Sequence, residues 1–326
     1  MSNSAPTRIT SAFGARTTAL EAIKGITLTG RNAIVTGGAS GLGLETSRAL
    51  ASAGAALMLA VRNLAQGQAA ADVLRAEVPA AQVSVGLLDL SDLASVRDFA
   101  ADWMLPGAAL DILINNAAIM ACPLTRSPQG WEAQFATNHL GHFALTTALL
   151  PALQKAAQKT GDARVVCLSS SGHKISGVEF DDIHFERREY NKWKAYGQAK
   201  SANALMALGL HLRYGDQGVT ANAVHPGGIM TGLQKFLPME EMRALGWLKA
   251  DNTPLDIFKT AQQGASTTIW AATAPQLLGS GGLYLEDCQQ GLLAEPSNRV
   301  SGYSAHIADA AAAERLWAVS EAMMAG

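Results

Sequence analysis

A doubly wound α/β fold on a parallel sheet is what this sequence predicts, from three observations. Short apolar runs alternate with helical patterns from Arg31 onward. The runs are continuously apolar rather than alternating, as in strands covered on both faces by helices. A glycine-rich turn follows the first run directly, at the place where such sheets meet their ligands.

Residues 1–30 are rich in Ser and Thr, carry Gly14, Gly25 and Gly30, and read as an N-terminal extension rather than a core element. The first run covers 33–36 and the helical pattern after it 42–53. Runs at 56–61, 83–87 and 110–115 then alternate with helical patterns at 64–77 and 93–103. A helix through 131–153 leads to a strand at 164–169, and a helix at 196–213 leads to a strand at 220–225. The Ala-rich stretch 305–325, with Leu316 and Trp317, reads as a closing helix. Two segments break the rhythm: 172–195 is charged and irregular, and 231–258 holds Pro238 and Pro254 among Phe236, Leu237, Trp247 and Leu248. A long loop of the second kind, beyond a strand end, suits a lid over an apolar substrate. Residues 31–326 are expected to form a single domain that includes this substrate loop, 231–258.

The chain has 326 residues, 48% hydrophobic and 16% charged, which allows a substantial core. A formal net charge of −2 offers no basic face to nucleic acid. Cys122, Cys167 and Cys288 are scattered and odd in number, which argues against a disulfide framework. His139 and His142 are the one close histidine pair, with no third ligand in sight, so no metal is expected. Residues 2–29 lack the apolar core of a secretory signal, and no stretch reaches the roughly 18 apolar residues of a membrane span. A cytoplasmic protein, possibly homo-oligomeric, is expected.

Gly37, Gly41 and Gly43 give a GxxxGxG spacing after the first strand. Such a turn lets backbone approach a pyrophosphate and aims helix N–H groups at it. A dinucleotide is the expected ligand. The second strand ends Leu59-Ala60-Val61-Arg62-Asn63, with a guanidinium and no carboxylate. An acidic residue there would hold the ribose hydroxyl of NAD, whereas Arg62 suits a 2′-phosphate. NADP(H) is therefore favoured, and NAD(H) is not excluded.

Tyr196 and Lys200 stand four apart on one helix face. A tyrosine titrates near 10 on its own, and a neighbouring cation favours its phenolate. Tyr190 and Lys194 repeat the pattern within a charged loop, so Tyr196, running into small apolar residues, is the candidate acid–base.

The chain resembles the short-chain dehydrogenase/reductase family, nearest its retinol-dehydrogenase-like branch, from about residue 31 onward. The likeness rests on Thr36-Gly37-xxx-Gly41-x-Gly43, Asp89-Leu90, Asn115-Asn116-Ala117-Ala118, Asn138-His139-Leu140-Gly141-His142-Phe143, Ser169-Ser170, Tyr196-xxx-Lys200 and His225-Pro226-Gly227. It implies a Rossmann-type domain of three layers around a seven-stranded parallel sheet, and interconversion of an alcohol with a ketone or aldehyde. Tyr196 is then the acid–base, Lys200 binds the nicotinamide ribose and lowers the tyrosine pKa, and Ser170 binds the substrate oxygen. Asn138 completes a water relay to Lys200. Gly37, Ser40, Gly41, Leu42 and Gly43 hold the pyrophosphate; Asp89 and Leu90 flank the adenine. Asn115, Asn116 and Ala117 line the cleft, and Pro226, Gly227, Ile229 and Thr231 meet the carboxamide.

Departures from the family pattern are few. Ala118 replaces the usual glycine, and Ser40 stands where a basic residue would support NADP. The separation of Ser170 from Tyr196 exceeds the commoner spacing, with 172–195 as the insertion. Two rival readings remain open from sequence: a non-catalytic NADP(H)-binding sensor of the same fold, and a light-dependent enzyme like protochlorophyllide reductase.

Overall fold

The computed structural model describes residues 8–325 except 106, 108, 296 and 299. The first seven residues of the expected extension lie outside the described residues. A short helix, α1 (Ala19–Ala22), precedes β1 (Asn32–Thr36). Helices α2 (Gly41–Ser52), α3 (Leu64–Glu77) and α4 (Leu93–Met104) then alternate with β2 (Ala56–Val61), β3 (Gln82–Leu87) and β4 (Ile112–Asn115). Helices α5 (Ala133–Phe135), α6 (Gly141–Ala148) and α7 (Leu150–Thr160) lead to β5 (Ala163–Leu168), and α8 (Lys192–Tyr214) leads to β6 (Val219–His225). Helices α9 (Met239–Ala244), α10 (Ala261–Gly264) and α11 (Ser266–Thr273) precede β7 (Tyr284–Glu286) and β8 (Gln289–Gln290); α12 (Ala310–Ala325) follows.

The strands form one sheet in the order β3-β2-β1-β4-β5-β6-β7-β8. Successive residues of β1 enter different cores: Ala33 and Val35 join one apolar cluster, Ile34 the other. Both faces are therefore covered, which is why the runs read as continuously apolar. Strand order reverses between β1 and β4, and a crevice opens there at the carboxyl ends.

The structure corrects three expectations. Seven strands run parallel as predicted, but an eighth, β8, pairs antiparallel with β7. Its two-residue turn needs positive φ at both positions, met by Asp287 (49°) and Cys288 (57°) rather than by glycine, so no turn signal marked it. The extension is built into the core from its second half: Ala19, Ala22, Ile23 and Leu28 are buried. Four residues of α1 are too few for a periodic pattern, although Thr18 and Glu21 close a capping box. The helix expected over 131–153 is broken by a π-helical turn at Ala136–Leu140. Such insertions concentrate at functional sites, and this one carries Asn138. Among the described residues, no helix is long and apolar enough to cross a membrane.

Four buried histidines make the fold acid-sensitive. Burial lowers His139 and His225 to about 3, and His142 and His173 to about 4. The unfolded chain takes up these protons below about 6.5, the folded one only near 3–4. Stability is thus present above pH 6.5 and lost as pH falls, by about 1.4 kcal/mol per pH unit for each group. Glu132 and Glu286, raised by burial, oppose this with two groups against four. The urea midpoint is expected to fall steeply from pH 7 to pH 5; a flat midpoint would refute the neutral burial.

Candidate active site

The glycine-rich turn is shaped for close backbone approach. Gly37 and Gly41 have φ of 64° and 52°, which side-chain-bearing residues seldom adopt. A Cβ on Gly43 would lie 2.1 Å from the Gly37 carbonyl oxygen and 2.7 Å from Asn116 Nδ2. Ser40 stands at the N-cap of α2 without a side-chain cap bond, leaving first-turn N–H groups for an anion.

A cleft of about 500 Å³ opens over this turn. Of the sequence candidates, Gly37, Ser40, Gly41, Leu42, Gly43, Arg62, Leu90, Asn116, Ala117 and Thr231 line it. Its wall carries two cations, Arg62 and Lys235, and no carboxylate. That charge balance suits a polyanionic dinucleotide, so the residues present fit one. Asn63, Gln66, Leu88 and Lys235 also line the cleft and were missed. Asn63 reads as a helix cap, which it is, accepting from the Gln66 N–H; Lys235 carries no local signal.

Other candidates sit outside that wall. The Asp89 carboxylate accepts from the Ser91 N–H and hydroxyl and so braces the turn before α4. Asn115 is buried beneath the cleft, donating to Thr146 Oγ1 at 2.9 Å. Pro226 is buried, Gly227 turns with φ 96° against the Lys259 stem, and Ile229 bridges to Lys259.

The reactive residues gather where β5 ends against α8. Ser169 Oγ donates to the Lys200 carbonyl at 2.8 Å, and Lys200 Nζ donates to the Leu168 carbonyl at 2.9 Å. Two glycines allow this contact: a Cβ on Gly197 would lie 2.7 Å from the Gly172 carbonyl oxygen, and one on Gly172 would lie 2.9 Å from the Tyr196 ring. Ser170 caps the turn Ser171–Ile175, and its hydroxyl and the Tyr196 ring flank Gly172 from within 3.4 and 2.9 Å of where a Cβ would stand. Ser171 instead gives its N–H to His225 Nδ1, so the register favours Ser170.

Electrostatics depart from expectation. Tyr196 is 6% and Lys200 2% exposed, with the ammonium 5.7 Å from the ring centroid. Burial pushes the Tyr196 phenol up to about 12, the Ser170 hydroxyl pulling the other way. Burial brings Lys200 down to about 8. Burial is the dominant influence on the phenol in this state.

Asn138 is spent on bracing. Its Oδ1 accepts from the Ile119 N–H and its Nδ2 donates to the Ile119 carbonyl, both at 2.8 Å. Its own carbonyl accepts from His142 Nδ1 at 2.9 Å. His142 Nε2 then takes the Thr36 hydroxyl proton, while Thr36 Oγ1 accepts from the Asn116 and Ala117 N–H groups. Tyr190, the repeated motif, is structural: its hydroxyl meets the Cys122 carbonyl, Glu132 and Gln134.

Beyond Tyr196 lies an apolar cluster of Met120, Ala121 and Leu237, packed with Trp193, Leu233, Met242 and Trp247. Leu233, Leu237, Met242 and Trp247 come from the lid, Trp193 from α8, and Met120 and Ala121 from the loop after β4, so the cluster is assembled from separate elements.

A family model described as short chain dehydrogenase matches residues 31–241. The chain belongs to the short-chain dehydrogenases. Relatives of this dehydrogenase include a "Probable oxidoreductase" of Streptomyces antibioticus, 46% identical over 294 residues, covering 89% of this chain and 96% of that one. Retinol dehydrogenase 12 of Mus musculus is 37% identical over 295 residues, covering 90% and 86%. A crystal structure of an uncharacterised protein from Mycobacterium paratuberculosis superposes with a TM-score of 0.69 at 35% identity, covering 93% of this chain and 96% of that one. The short-chain dehydrogenase described here is thus an NAD(P)-dependent oxidoreductase with a retinol-dehydrogenase-like relative.

Proposed function

We propose that this dehydrogenase uses NADP(H) to interconvert an alcohol with a ketone or aldehyde on a moderately apolar substrate. The reading is carried by one observation: Tyr196 and Ser170 meet at Gly172, with the Lys200 ammonium 5.7 Å from the phenol ring, beside an apolar cluster. Bound in the cleft, the nicotinamide supplies or accepts the hydride at the substrate carbon. In reduction, Tyr196 gives its proton to the carbonyl oxygen and Ser170 donates a hydrogen bond to the same oxygen. In the other direction Tyr196 takes the proton from the alcohol. The Lys200 ammonium steadies the phenolate left behind, a charge that burial alone would penalise. The braces at Asn138 and His142 hold the loop 115–119 that walls the cleft.

NADPH oxidation in the dark with a panel of aryl ketones tests this. Turnover supports the reading, binding without turnover favours a cofactor sensor, and a need for light favours the photochemical rival. Arg62 and the carboxylate-free wall support the choice of NADP(H). Arg62→Ala is expected to weaken NADPH binding by roughly tenfold to a hundredfold, the worth of a charge-assisted hydrogen bond. NADH binding should change little, as fluorescence titration of both cofactors would read; an unaltered preference would refute the contact.

A further inference from the structure

Glu241, on the lid helix α9, reaches across to the start of α8. Its Oε2 accepts from Lys192 Nζ at 2.5 Å and its Oε1 from Trp193 Nε1 at 3.1 Å. Both donors lie within the turn that precedes Tyr196. The Trp193 indole meets Trp247 edge-on, with centroids 6.0 Å apart, and Trp247 meets Phe258 at 5.9 Å. One carboxylate therefore fastens the lid and orients the indole beside the phenol. The Lys192–Glu241 pair neutralises itself at the rim, with the side chains 30% and 26% exposed. Met120, Ala121 and Leu237 pack beside Tyr196 as the apolar face that the indole adjoins.

We propose that Glu241 is a positioning residue for the substrate: it latches the lid to α8 and fixes the Trp193 indole against the apolar cluster beside Tyr196, favouring an uncharged carbonyl compound. This rests on the reading of Tyr196 as the acid–base. An indole N–H deprived of its acceptor must turn toward water, which would carry the ring off the chamber wall. A carboxylate on the substrate would meet these apolar side chains at a desolvation cost.

Glu241→Ala tests the latch in two independent ways. The KM for methyl 4-acetylbenzoate should rise about fivefold or more, a half-exposed ion pair and one hydrogen bond being lost, while kcat and NADPH affinity hold within about twofold. Trypsin should cut the lid after Arg243 and Lys249 faster by a similar factor, at unchanged melting temperature. Glu241→Gln keeps an acceptor for Trp193 and should fall between. Wild-type enzyme should turn over the methyl ester at least about tenfold better than 4-acetylbenzoate, whose charge the apolar cluster would desolvate. An unchanged tryptic rate overturns the latch, whether or not any ketone is turned over. Faster cleavage with an unchanged KM overturns the positioning role. Equal use of ester and acid overturns the preference for an uncharged substrate. Absence of turnover with every ketone and both cofactors overturns the acid–base reading beneath, and the substrate class with it.

Discussion

Tyr196→Phe is expected to lower kcat by about 10²-fold or more while NADPH affinity stays within about twofold. The substitution removes one hydroxyl and leaves the ring packed among Met120, Ala121 and Leu237, so the fold and the cofactor cleft keep their shape. What disappears is the proton donor that meets the substrate oxygen. The phenol, held near 12 by burial, stays protonated across neutral pH. The loss in the reducing direction should therefore be of similar size at pH 6 and pH 7.5. Single-turnover NADPH oxidation, with melting temperature as the folding control, reads this directly. Activity near wild type would remove Tyr196 from the chemistry.

Gly43→Ala is expected to cut cofactor affinity by roughly tenfold to a hundredfold, the range that overpacking by one methyl carries at about 1–3 kcal/mol. The added Cβ would stand 2.1 Å from the Gly37 carbonyl oxygen. Backbone must move, because the closest atom is that carbonyl oxygen and not the end of a flexible side chain. The first turn of α2 would be pushed from the glycine-rich loop, and the N–H groups aimed at the pyrophosphate would lose their register. Gly14→Ala is the control, since a Cβ there meets nothing within 4 Å. Equal affinity of the Gly43 variant and wild type would sink the assignment of this turn to the phosphates.

Much of the site is legible from local pattern. GxxxGxG after a strand and Tyr196 four residues before Lys200 are each contained within one turn or one helix face, so spacing alone sets their geometry. Residues whose role depends on a distant partner are harder. Asp89 meets Ser91 rather than the cleft, and Asn138 is occupied by Ile119. Lys235 faces the cleft from a 3-10 helix of five residues, Gly232–Phe236, too short to show periodicity. Glu241 gains meaning only when α9 lies beside Trp193. The short α1 and the hairpin strand β8 escaped for a related reason: their stability comes from packing and turn geometry that few residues encode.

The amino-acid order by itself determined the α/β class, the succession of strands and helices, and the pairing of a phenol with an ammonium one turn apart, because periodicity and neighbour spacing are local. The tertiary structure decided how tightly Tyr196 holds its proton, which polar groups were already committed, and what the lid touches. Those follow from burial, and burial is set by residues far apart in the chain.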